Sequence, residues 1–509
     1  MALRGRVQLK GQHVVELIWE GKYDKDGQRV APLRVALPFQ TVETINESAQ
    51  ERQRSLDGLL AGRDPDRRNR LIWGDKKYVL PSLLPEFAGK VDLIYIDPPF
   101  DTGANFSFHV RIDGEDFVKE PSVIEQKAYR DTWGRGLDSY LQWFYETVVL
   151  LRELLAETGS IFVHLDWHVG HYAKVVLDEV FGKESFRNEI YWYYYNKMPD
   201  TRKGVFPRAT DTIFWYVKSP DQNYTFNPLT EKRQQPVVQL VRKKVAGRMV
   251  NVRDDRGNVQ YQVREDRIID NVWRISMLQP ADRTENLGYG TQKPEALLER
   301  VIKASSNEGD LVLDCFVGSG TTAAVAEKLG RRWIAADLSR FAIHTTRKRL
   351  LSLPDVGPFV VQNLGRYERQ AWQAAEFGAQ AESRVQAYRR FILELYKAKP
   401  ITGYAWLHGF KTGRFVHVGT VDAPISPGDV TQIAVEFRRA IGTGANAPRT
   451  NGLDVLGWDF AFELNEVAKQ QAALANIDLR FLRIPRDVMD KCAVEQGDIR
   501  FFELAALSV

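Results

Sequence analysis

The chain has 509 residues, of which 44% are hydrophobic and 27% are charged, and its formal net charge is +4. This composition is typical of an ordinary soluble globular protein, and the length allows about three domains. No apolar run approaches the roughly 20 residues of a membrane helix, and the N-terminus lacks the apolar core of a signal peptide. We therefore expect a cytoplasmic protein that has no membrane partner.

The two cysteines, Cys315 and Cys492, are too few for a disulfide framework or a cysteine zinc site. Sparse cysteine usage fits a reducing compartment. The sequence shows no convincing cluster of metal ligands, so we expect no metal site.

Residues 1–69 predict an N-terminal extension with strands joined by a DG turn and a polar helix, and a regular pattern follows from residue 70. The apolar runs RLIWGD and VDLIYID predict strands, and the second ends at Asp97. An apolar stripe with spacings of three and four then predicts an amphipathic helix that Gly159 ends. The stripe consists of Leu141, Phe144, Val148, Leu151 and Leu155.

The segments SIFVHLD, NEIYWYYYN and DTIFWYVKS predict further strands, and HYAKVVLDEVF predicts a helix. For the aromatic run at residues 191–195 we favour a strand packed on both faces over a base-stacking surface. Alternation of strands and helices is typical of an α/β fold. We predict a doubly wound, mostly parallel, Rossmann-like sheet.

Between residues 196 and 290 the alternation stops and a basic segment appears. Residues 231–256 hold eight Lys or Arg and three Asp or Glu, a local charge of +5. Charge alone favours a solvated face and a phosphate-binding surface equally. We predict that residues 196–290 form an insertion in the α/β domain.

The α/β pattern resumes at Thr291 and continues to residue 364, with a helix in QKPEALLERVIKASS and strands in DLVLDCF and RWIAADL. Residues 365–509 predict a helical connector and a small C-terminal α/β domain. Its predicted strands are RFVHVGTV, TQIAVEF, VLGWDFAFEL, DLRFLRIP and IRFFEL. The α/β domain is thereby divided into residues 70–195 and 291–364.

A glycine loop joins the strand that ends at Asp314 to the following helix, and the next strand ends at Asp337. Gly318 and Gly320 permit positive φ and a close ligand, and an acid about 20 residues on suits a ribose. The loop lacks both the GxGxxG and the GxxxxGK[ST] patterns. We predict S-adenosylmethionine, a nucleoside without phosphates, with Asp314 near its cationic methionine part; a ligand-free turn is the alternative.

The motif Asp97, Pro98, Pro99 and Phe100, placed upstream of DCFVGSGTT, resembles the amino-methyltransferases of DNA that use S-adenosylmethionine. The order DPPF, basic region, TQKPEALL and glycine motif resembles their β group, especially the modification subunits of type III restriction systems. The resemblance covers about residues 70 to 350. The chain departs from the family at Phe100, where tyrosine is more usual, and at Cys315, where proline is common.

The resemblance implies methyl transfer to adenine N6 in a short duplex motif. The lone pair of the exocyclic amine is delocalised, so the amine needs acceptors that draw its two N–H bonds out of the ring plane. The Asp97 carboxylate would accept one bond and the carbonyl of Pro98, in the rigid Pro98–Pro99 turn, the other. Phe100 would stack on the flipped base.

The resemblance also implies the binding residues. Asp337 would bind the ribose and Asp75 the adenine amine of the cofactor. The other predicted cofactor contacts are Thr291, Lys293, Pro294, Asp314, Phe316, Gly318, Gly320 and Thr321. Residues 196–290 would recognise DNA, and the predicted DNA contacts are Arg242, Lys243, Lys244 and Arg248.

Double-stranded DNA is therefore the expected partner. The resemblance adds a restriction subunit as a candidate partner, and the C-terminal domain adds a second copy of the chain. Three alternatives stay open: methylation of cytosine N4, a catalytically silent DNA-binding module, and methylation of RNA or protein. The DPP motif favours adenine over cytosine N4. We exclude C5-cytosine methylation because neither cysteine follows a proline.

Overall fold

The computed structural model of the protein describes most of the chain. The described residues are 16–47, 68–99, 108–112, 115–119, 137–198, 204, 206–221, 223–245, 247–282, 284–378, 381–441, 450–461, 477–489, 494, 499 and 501–503. The chain forms two compact units. The first comprises Met1–Arg34, Val42–Phe100 and Leu137–Gln362, and the second Val35–Thr41, Asp101–Gly136 and Asn363–Val509.

Strands and helices are numbered in chain order. The strands are β1 (Gln40–Ile45), β2 (Asn69–Trp73), β3 (Val91–Ile96), β4 (Phe108–Ile112), β5 (Glu115–Lys119), β6 (Leu155–Leu165), β7 (Phe186–Tyr193), β8 (Thr210–Val217), β9 (Thr230–Leu240), β10 (Arg242–Val245), β11 (Arg248–Asn251), β12 (Tyr261–Ile268), β13 (Val272–Arg274), β14 (Leu311–Asp314), β15 (Arg332–Asp337), β16 (Phe359–Asn363), β17 (Lys399–Pro400), β18 (Gly409–Lys411), β19 (Arg414–Val418), β20 (Gly452–Gly457), β21 (Asp478–Arg483) and β22 (Phe502–Glu503). The helices are α1 (Lys76–Phe87), α2 (Leu137–Leu154), α3 (Gly170–Phe181), α4 (Glu295–Ser305), α5 (Thr321–Lys328), α6 (Arg340–Leu351), α7 (Gly365–Phe377), α8 (Ala381–Leu395) and α9 (Pro427–Ala440).

A ten-stranded sheet forms the centre of the first unit, in the order β1-β16-β2-β15-β14-β3-β6-β8-β7-β13. Strands β2, β15, β14, β3 and β6 run parallel, whereas β8 is antiparallel to both β6 and β7. The apolar sequences of β3 and β14 are buried, as expected for parallel strands covered on both faces. This sheet confirms the predicted doubly wound, mostly parallel fold.

The topological switch point lies between β14 and β3. From β14 the chain proceeds to β15 on one side, and from β3 it proceeds to β6 on the other side. Ligands of open α/β sheets bind at such a point, outside the carboxyl ends of the strands. The two strands pair through Val312 with Leu93 and Leu313 with Ile94, so Asp314 and Asp97 lie at neighbouring strand ends.

Two local predictions for this sheet are wrong. Helix α2 ends at Leu154, and Gly159 lies inside β6, because the strand already pairs with β3 at Leu155. A Cβ on Gly159 would lie 3.0 Å from the carbonyl oxygen of Asp92, so glycine permits close strand contact here and does not end the helix.

The aromatic run at residues 191–195 is also not packed on both faces. Trp192 and Tyr194 are buried, whereas Tyr191, Tyr193 and Tyr195 are between 37% and 58% exposed. The period-two alternation of a strand thus divides the run into one core face and one open face.

Residues 230–268, which lie within the region predicted as an insertion, form a β-ribbon. Strand β9 pairs with β12, and β10 pairs with β11. Its two ends meet, because the backbone N–H of Ile269 donates to the carbonyl of Leu229 at 3.0 Å. Glu231 contacts Arg300 of α4 at 3.4 Å, which fixes the base of the ribbon. Strand β8, from the same predicted region, belongs to the central sheet.

The second unit contains a six-stranded sheet in the order β17-β18-β19-β20-β21-β22, with β19, β20 and β21 parallel. Ile433 and Phe437 of α9 contribute to one buried cluster, and Trp372 of α7 and Tyr388 of α8 contribute to another. This arrangement confirms a small C-terminal α/β domain. Strands β4 and β5 form a separate antiparallel pair.

The prediction of a strand at TQIAVEF is wrong, because this segment lies within helix α9. Its buried residues Val430, Ile433 and Phe437 recur at spacings of three and four. Ser426 and Asp429 form a capping box that begins the helix. Among the described residues no helix combines the length and the apolar character needed to cross a membrane.

The buried middle of β3 should contribute strongly to stability. Leu93 is fully buried, so Leu93→Ala should lower the free energy of unfolding by about 2–5 kcal/mol. Val238, which is 64% exposed on the ribbon, provides a control, and Val238→Ala should change it by about 0.5 kcal/mol or less. Urea unfolding followed by circular dichroism measures both; equal losses would contradict the core assignment.

Candidate active site

Three carboxylates lie at the ends of three neighbouring parallel strands. Asp337 ends β15, Asp314 ends β14, and Asp97 directly follows β3. The charges of Asp97 and Asp337 both act on Asp314. The structure therefore brings the two sequence motifs, DPPF and the glycine loop, to the same edge of the sheet.

Among the described residues, Asp97 accepts hydrogen bonds on one carboxylate oxygen. The Lys293 ammonium donates a short hydrogen bond to its Oδ2, although the two residues lie 196 positions apart. Its Oδ1 is buried and has no hydrogen-bond partner among the described residues. Pro98 is buried and Pro99 is half-buried in the following turn, whereas Phe100 lies outside the described residues. One carboxylate oxygen is thus anchored and the other has no donor in the part of the chain that is described.

The TQKP segment approaches Asp97 from the start of α4. Besides its ion pair with Asp97, Lys293 accepts a hydrogen bond on its backbone carbonyl from the Thr321 hydroxyl at 3.0 Å. Pro294 is the buried N-cap of α4, and the exposed Thr291 lies with its carbonyl 3.5 Å from the Lys293 ammonium. Lys293, predicted only as a cofactor contact, therefore links the catalytic motif to the glycine loop.

The glycine loop is fixed by Asp337 and by its own backbone. The N–H of Gly318 donates to Asp337 Oδ2 at 2.9 Å. Gly320, the N-cap of α5, has a φ of +79°, and a Cβ there would lie 2.9 Å from the backbone of Thr346. This position therefore requires glycine.

Asp314 fixes the loop through hydrogen bonds to both of its carboxylate oxygens. Its Oδ1 accepts from the N–H of Phe316 at 2.9 Å and its Oδ2 from the Thr322 hydroxyl at 2.6 Å. Burial, aided by the charges of Asp97 and Asp337, raises the pKa of Asp314 to about 7 despite these hydrogen bonds. Its carboxyl is engaged within the protein, whereas the prediction placed it near the cofactor's methionine part.

Asp75 and Phe316 lie beside this loop. Asp75 caps α1 by accepting from the N–H of Lys77 at 2.9 Å. It follows β2, whose Trp73 pairs with Asp337. The Phe316 ring packs against Trp143 with ring centroids 5.6 Å apart. Asp75, the predicted adenine contact, thus lies near the end of β15, and Phe316 lies near the end of β14.

Sequence analysis missed a buried polar group behind Asp97. The Tyr95 hydroxyl lies 2.9 Å from His164 Nδ1, which lies 3.8 Å from Asp97 Oδ1. His164 Nε2 lies 3.5 Å from Asp211 Oδ2. A histidine within the apolar strand SIFVHLD was the available signal, because a fully buried histidine needs polar partners.

The predicted DNA contacts lie together on the β10–β11 hairpin and are exposed: Arg242, Lys243, Lys244 and Arg248. Val245 pairs with Arg248, and Lys243 precedes Val245 by two residues, so Lys243 and Arg248 share one face. Arg242 and Lys244 share the other face. Each face of the hairpin therefore presents two cations.

Comparison with known proteins agrees with this geometry. Residues 91–348, slightly more than half of the chain, match the family described as DNA methylase. The chain belongs to the DNA methylase family. It is a DNA methyltransferase, and its methyl donor is S-adenosylmethionine.

Named relatives of this DNA methylase come from several bacteria. DNA adenine methyltransferase YhdJ of Escherichia coli (strain K12) is 31% identical over 55% of this chain and 82% of its own length. Type II methyltransferase M1.MboII of Moraxella bovis is 37% identical over 44% and 83%, respectively. Type II methyltransferase M.EcaI of Enterobacter cloacae is 28% identical over 58% and 73%. The narrower resemblance to type III modification subunits stays a prediction.

Cys315 lies in the glycine loop but is not an activated nucleophile. Its side chain is buried, and burial raises the pKa of the thiol well above its usual value. The thiol therefore stays protonated near neutral pH. This agrees with the exclusion of C5-cytosine chemistry, while Cys492 lies outside the described residues.

Asp314 should make the stability of this DNA methylase depend on pH. Its folded-state pKa of about 7 exceeds the value of about 4 for an unfolded aspartate. The folded protein therefore gains stability from this proton below about pH 4 and loses it as the pH rises through 7. Asp314→Asn cannot ionise, so its Tm relative to wild type should rise from about pH 4 to 7 and then level off.

Differential scanning fluorimetry across this pH range measures the effect. Asp355→Asn, which removes an exposed carboxyl, is the control, and its Tm difference from wild type should not change with pH. A constant difference for Asp314→Asn as well would show that the Asp314 carboxyl ionises normally.

Proposed function

We propose that this DNA methylase transfers the methyl group to N6 of adenine in duplex DNA, with Asp97 as the acceptor of one amine N–H. The observation that carries this proposal is the asymmetry of the Asp97 carboxylate, with Oδ2 bound to Lys293 and Oδ1 buried without a described partner. The DPP motif and the relative named as an adenine methyltransferase support adenine over cytosine.

The residues at the switch point fit S-adenosylmethionine chemically. The ligand is a nucleoside with a cationic sulfonium and ammonium, and the strand ends supply the carboxylates Asp97, Asp314 and Asp337. Asp337 accepts one backbone N–H on each carboxylate oxygen, at 2.9 and 2.8 Å, and an acid at this strand end is the group that would accept the ribose hydroxyls. When bound, the cofactor supplies an electrophilic methyl group.

The cofactor contacts can be assigned to this fit. We assign the ribose to Asp337 and the adenine amine to Asp75, with Phe316, Gly318 and Gly320 along the nucleoside. Thr291, Lys293, Pro294 and Thr321 would line the methionine side, where Lys293 also holds Asp97. Asp314 supports this site chiefly by fixing the loop through Phe316 and Thr322.

The chain's own residues would activate the amine by position. Asp97 Oδ1 accepts one N–H and the Pro98 carbonyl accepts the other, which draws the lone pair out of conjugation with the ring. Lys293 keeps the carboxylate from rotating, so Oδ1 stays directed at the amine. After transfer, the surplus proton passes from the amine nitrogen to Asp97 or to water. Phe100 would stack on the flipped base.

We further propose that the ribbon binds the DNA backbone through the cations of β10 and β11. These side chains are exposed and carry no compensating acid within either strand. Cations on an exposed ribbon neutralise phosphates and release counterions. A restriction subunit and a second copy of the chain stay predicted partners.

Loss of the Asp97 carboxylate should abolish most of the activity. We expect Asp97→Ala to lower kcat by about 10²–10⁴-fold, the range for a positioned acid–base group, with cofactor affinity changed much less. Labelled methyl transfer to unmethylated genomic DNA gives kcat, and isothermal titration gives cofactor affinity. Leu93→Ala serves as a control for destabilisation without loss of the carboxylate.

Nuclease digestion of the product identifies the methylated base. Detection of N6-methyladenine supports the proposal. Detection of N4-methylcytosine instead would show that the target base is cytosine and would overturn the assignment to adenine. Transfer to RNA or protein but not to DNA, or wild-type activity in Asp97→Ala, would refute it.

The contribution of each hairpin face to DNA affinity can be measured separately. If Lys243 and Arg248 contact phosphates, Lys243→Gln/Arg248→Gln should flatten the plot of log K against log salt by about 0.9 per lost phosphate contact. Arg242→Gln/Lys244→Gln tests the opposite face. Lys25→Gln/Lys183→Gln, which removes two exposed lysines elsewhere, is the matched control. Slopes equal to wild type in both hairpin variants would contradict DNA binding here.

A further inference from the structure

A fully buried histidine lies behind the candidate acceptor. His164 is 0% exposed in β6, and Val163 pairs with Ile96, so His164 lies opposite Asp97 on the neighbouring strand. Its Nδ1 lies 3.8 Å from Asp97 Oδ1, the oxygen that has no described donor. The protonation of this nitrogen therefore decides whether a competing donor faces the acceptor.

Tyr95 is the hydrogen-bond partner of one ring nitrogen of His164. Burial raises the pKa of the Tyr95 hydroxyl well above its usual value, and the charge of Asp97 adds to this shift. The phenol thus keeps its proton, and its oxygen lies 2.9 Å from His164 Nδ1. A phenol can either donate to Nδ1 or accept from an Nδ1–H, so the partner of Nε2 decides the direction of this hydrogen bond.

The Asp211 carboxylate faces the second ring nitrogen of His164, Nε2. It lies on β8, next to β6 in the sheet, with Oδ2 at 3.5 Å from His164 Nε2. Burial acts to raise the pKa of Asp211, but its interactions with His164 and Tyr194 and the charge of Lys293 hold it below the usual value. The ionised carboxylate faces the Nε2–H and stabilises that tautomer.

We propose that His164 and Asp211 are positioning residues. By fixing the Nε2–H tautomer of His164, they prevent a competing N–H from donating to Oδ1 of Asp97, the oxygen that accepts from the target amine. The inference rests on the proposed function of Asp97. In this tautomer Tyr95 and His164 satisfy each other, and neither donates to Oδ1. In the other tautomer an N–H on Nδ1 would face Oδ1 and compete with the amine.

The discriminating variant is Asp211→Asn. The amide keeps the shape of the side chain but can donate to Nε2, which favours the Nδ1–H tautomer. The same substitution in a serine-protease triad leaves the geometry intact and selects the wrong tautomer. We expect kcat to fall about tenfold to a hundredfold, equivalent to one hydrogen bond to a charged group, while KM and cofactor affinity change less than about threefold. Asp211→Glu retains the carboxylate and should recover most of the loss.

A spectroscopic readout separates this role from a structural one. Long-range ¹H–¹⁵N correlation of histidine-labelled protein reports which ring nitrogen is protonated, and His164→Asn identifies the His164 signals. We expect Nε2–H in the wild type and Nδ1–H in Asp211→Asn. A wild-type His164 that is protonated on Nδ1, or wild-type kcat in Asp211→Asn, would overturn the inference.

Tyr95→Phe tests the same statement if Asp211→Asn does not fold. Loss of the phenol donor should populate the Nδ1–H tautomer and lower kcat. Tyr216→Phe is the matched control, because it removes a buried hydroxyl that donates to Asp178 at 2.7 Å, and both readouts should stay at wild-type values. Absence of methyl transfer by the wild type would refute the proposed function, while the ring spectrum still decides the tautomer.

Discussion

Like-charge repulsion at the ends of β15, β14 and β3 is the constraint on which the site depends. Three carboxylates share a partly buried space, where the effective dielectric is low and like charges interact strongly. A different interaction stabilises each of the three carboxyl groups. Lys293 binds Asp97, and backbone N–H groups bind Asp337. Asp314 accepts hydrogen bonds, and its raised pKa favours the neutral acid.

These interactions also join two parts of the chain that are distant in sequence. Thr321, at the start of α5, binds the backbone of Lys293, and the buried Arg349 of α6 donates to the Thr321 hydroxyl at 2.9 Å. Arg349 also pairs with Glu295 of α4 at 2.8 Å. A continuous set of hydrogen bonds and ion pairs therefore links the glycine loop to the Lys293 that holds Asp97.

The sequence was informative where a motif carries its own local geometry. The apolar run before Asp97 and the glycines after Asp314 each imply a strand end, and the sheet confirms that these ends are neighbours. The sequence was misleading where a choice depends on packing. Gly159 resembles a helix stop but serves close strand pairing, and TQIAVEF has β-prone residues at helical spacing.

His164 was missed for a related reason. Its importance comes from Tyr95 and Asp211, which lie on strands β3 and β8 on either side of β6. Register and sheet order determine that proximity, and no spacing along the chain encodes it. The roles assigned to individual site residues therefore go beyond what either the motifs or the sheet alone establish.

The ribbon leaves and re-enters the fold at adjacent residues, Leu229 and Ile269. An excursion whose two attachment points touch can be lengthened, trimmed or exchanged without displacing a single strand of the central sheet. Changes in the length of the ribbon therefore leave the strand ends that carry Asp97, Asp314 and Asp337 in place. The same arrangement makes the ribbon a segment that can be exchanged between related chains without rebuilding the site.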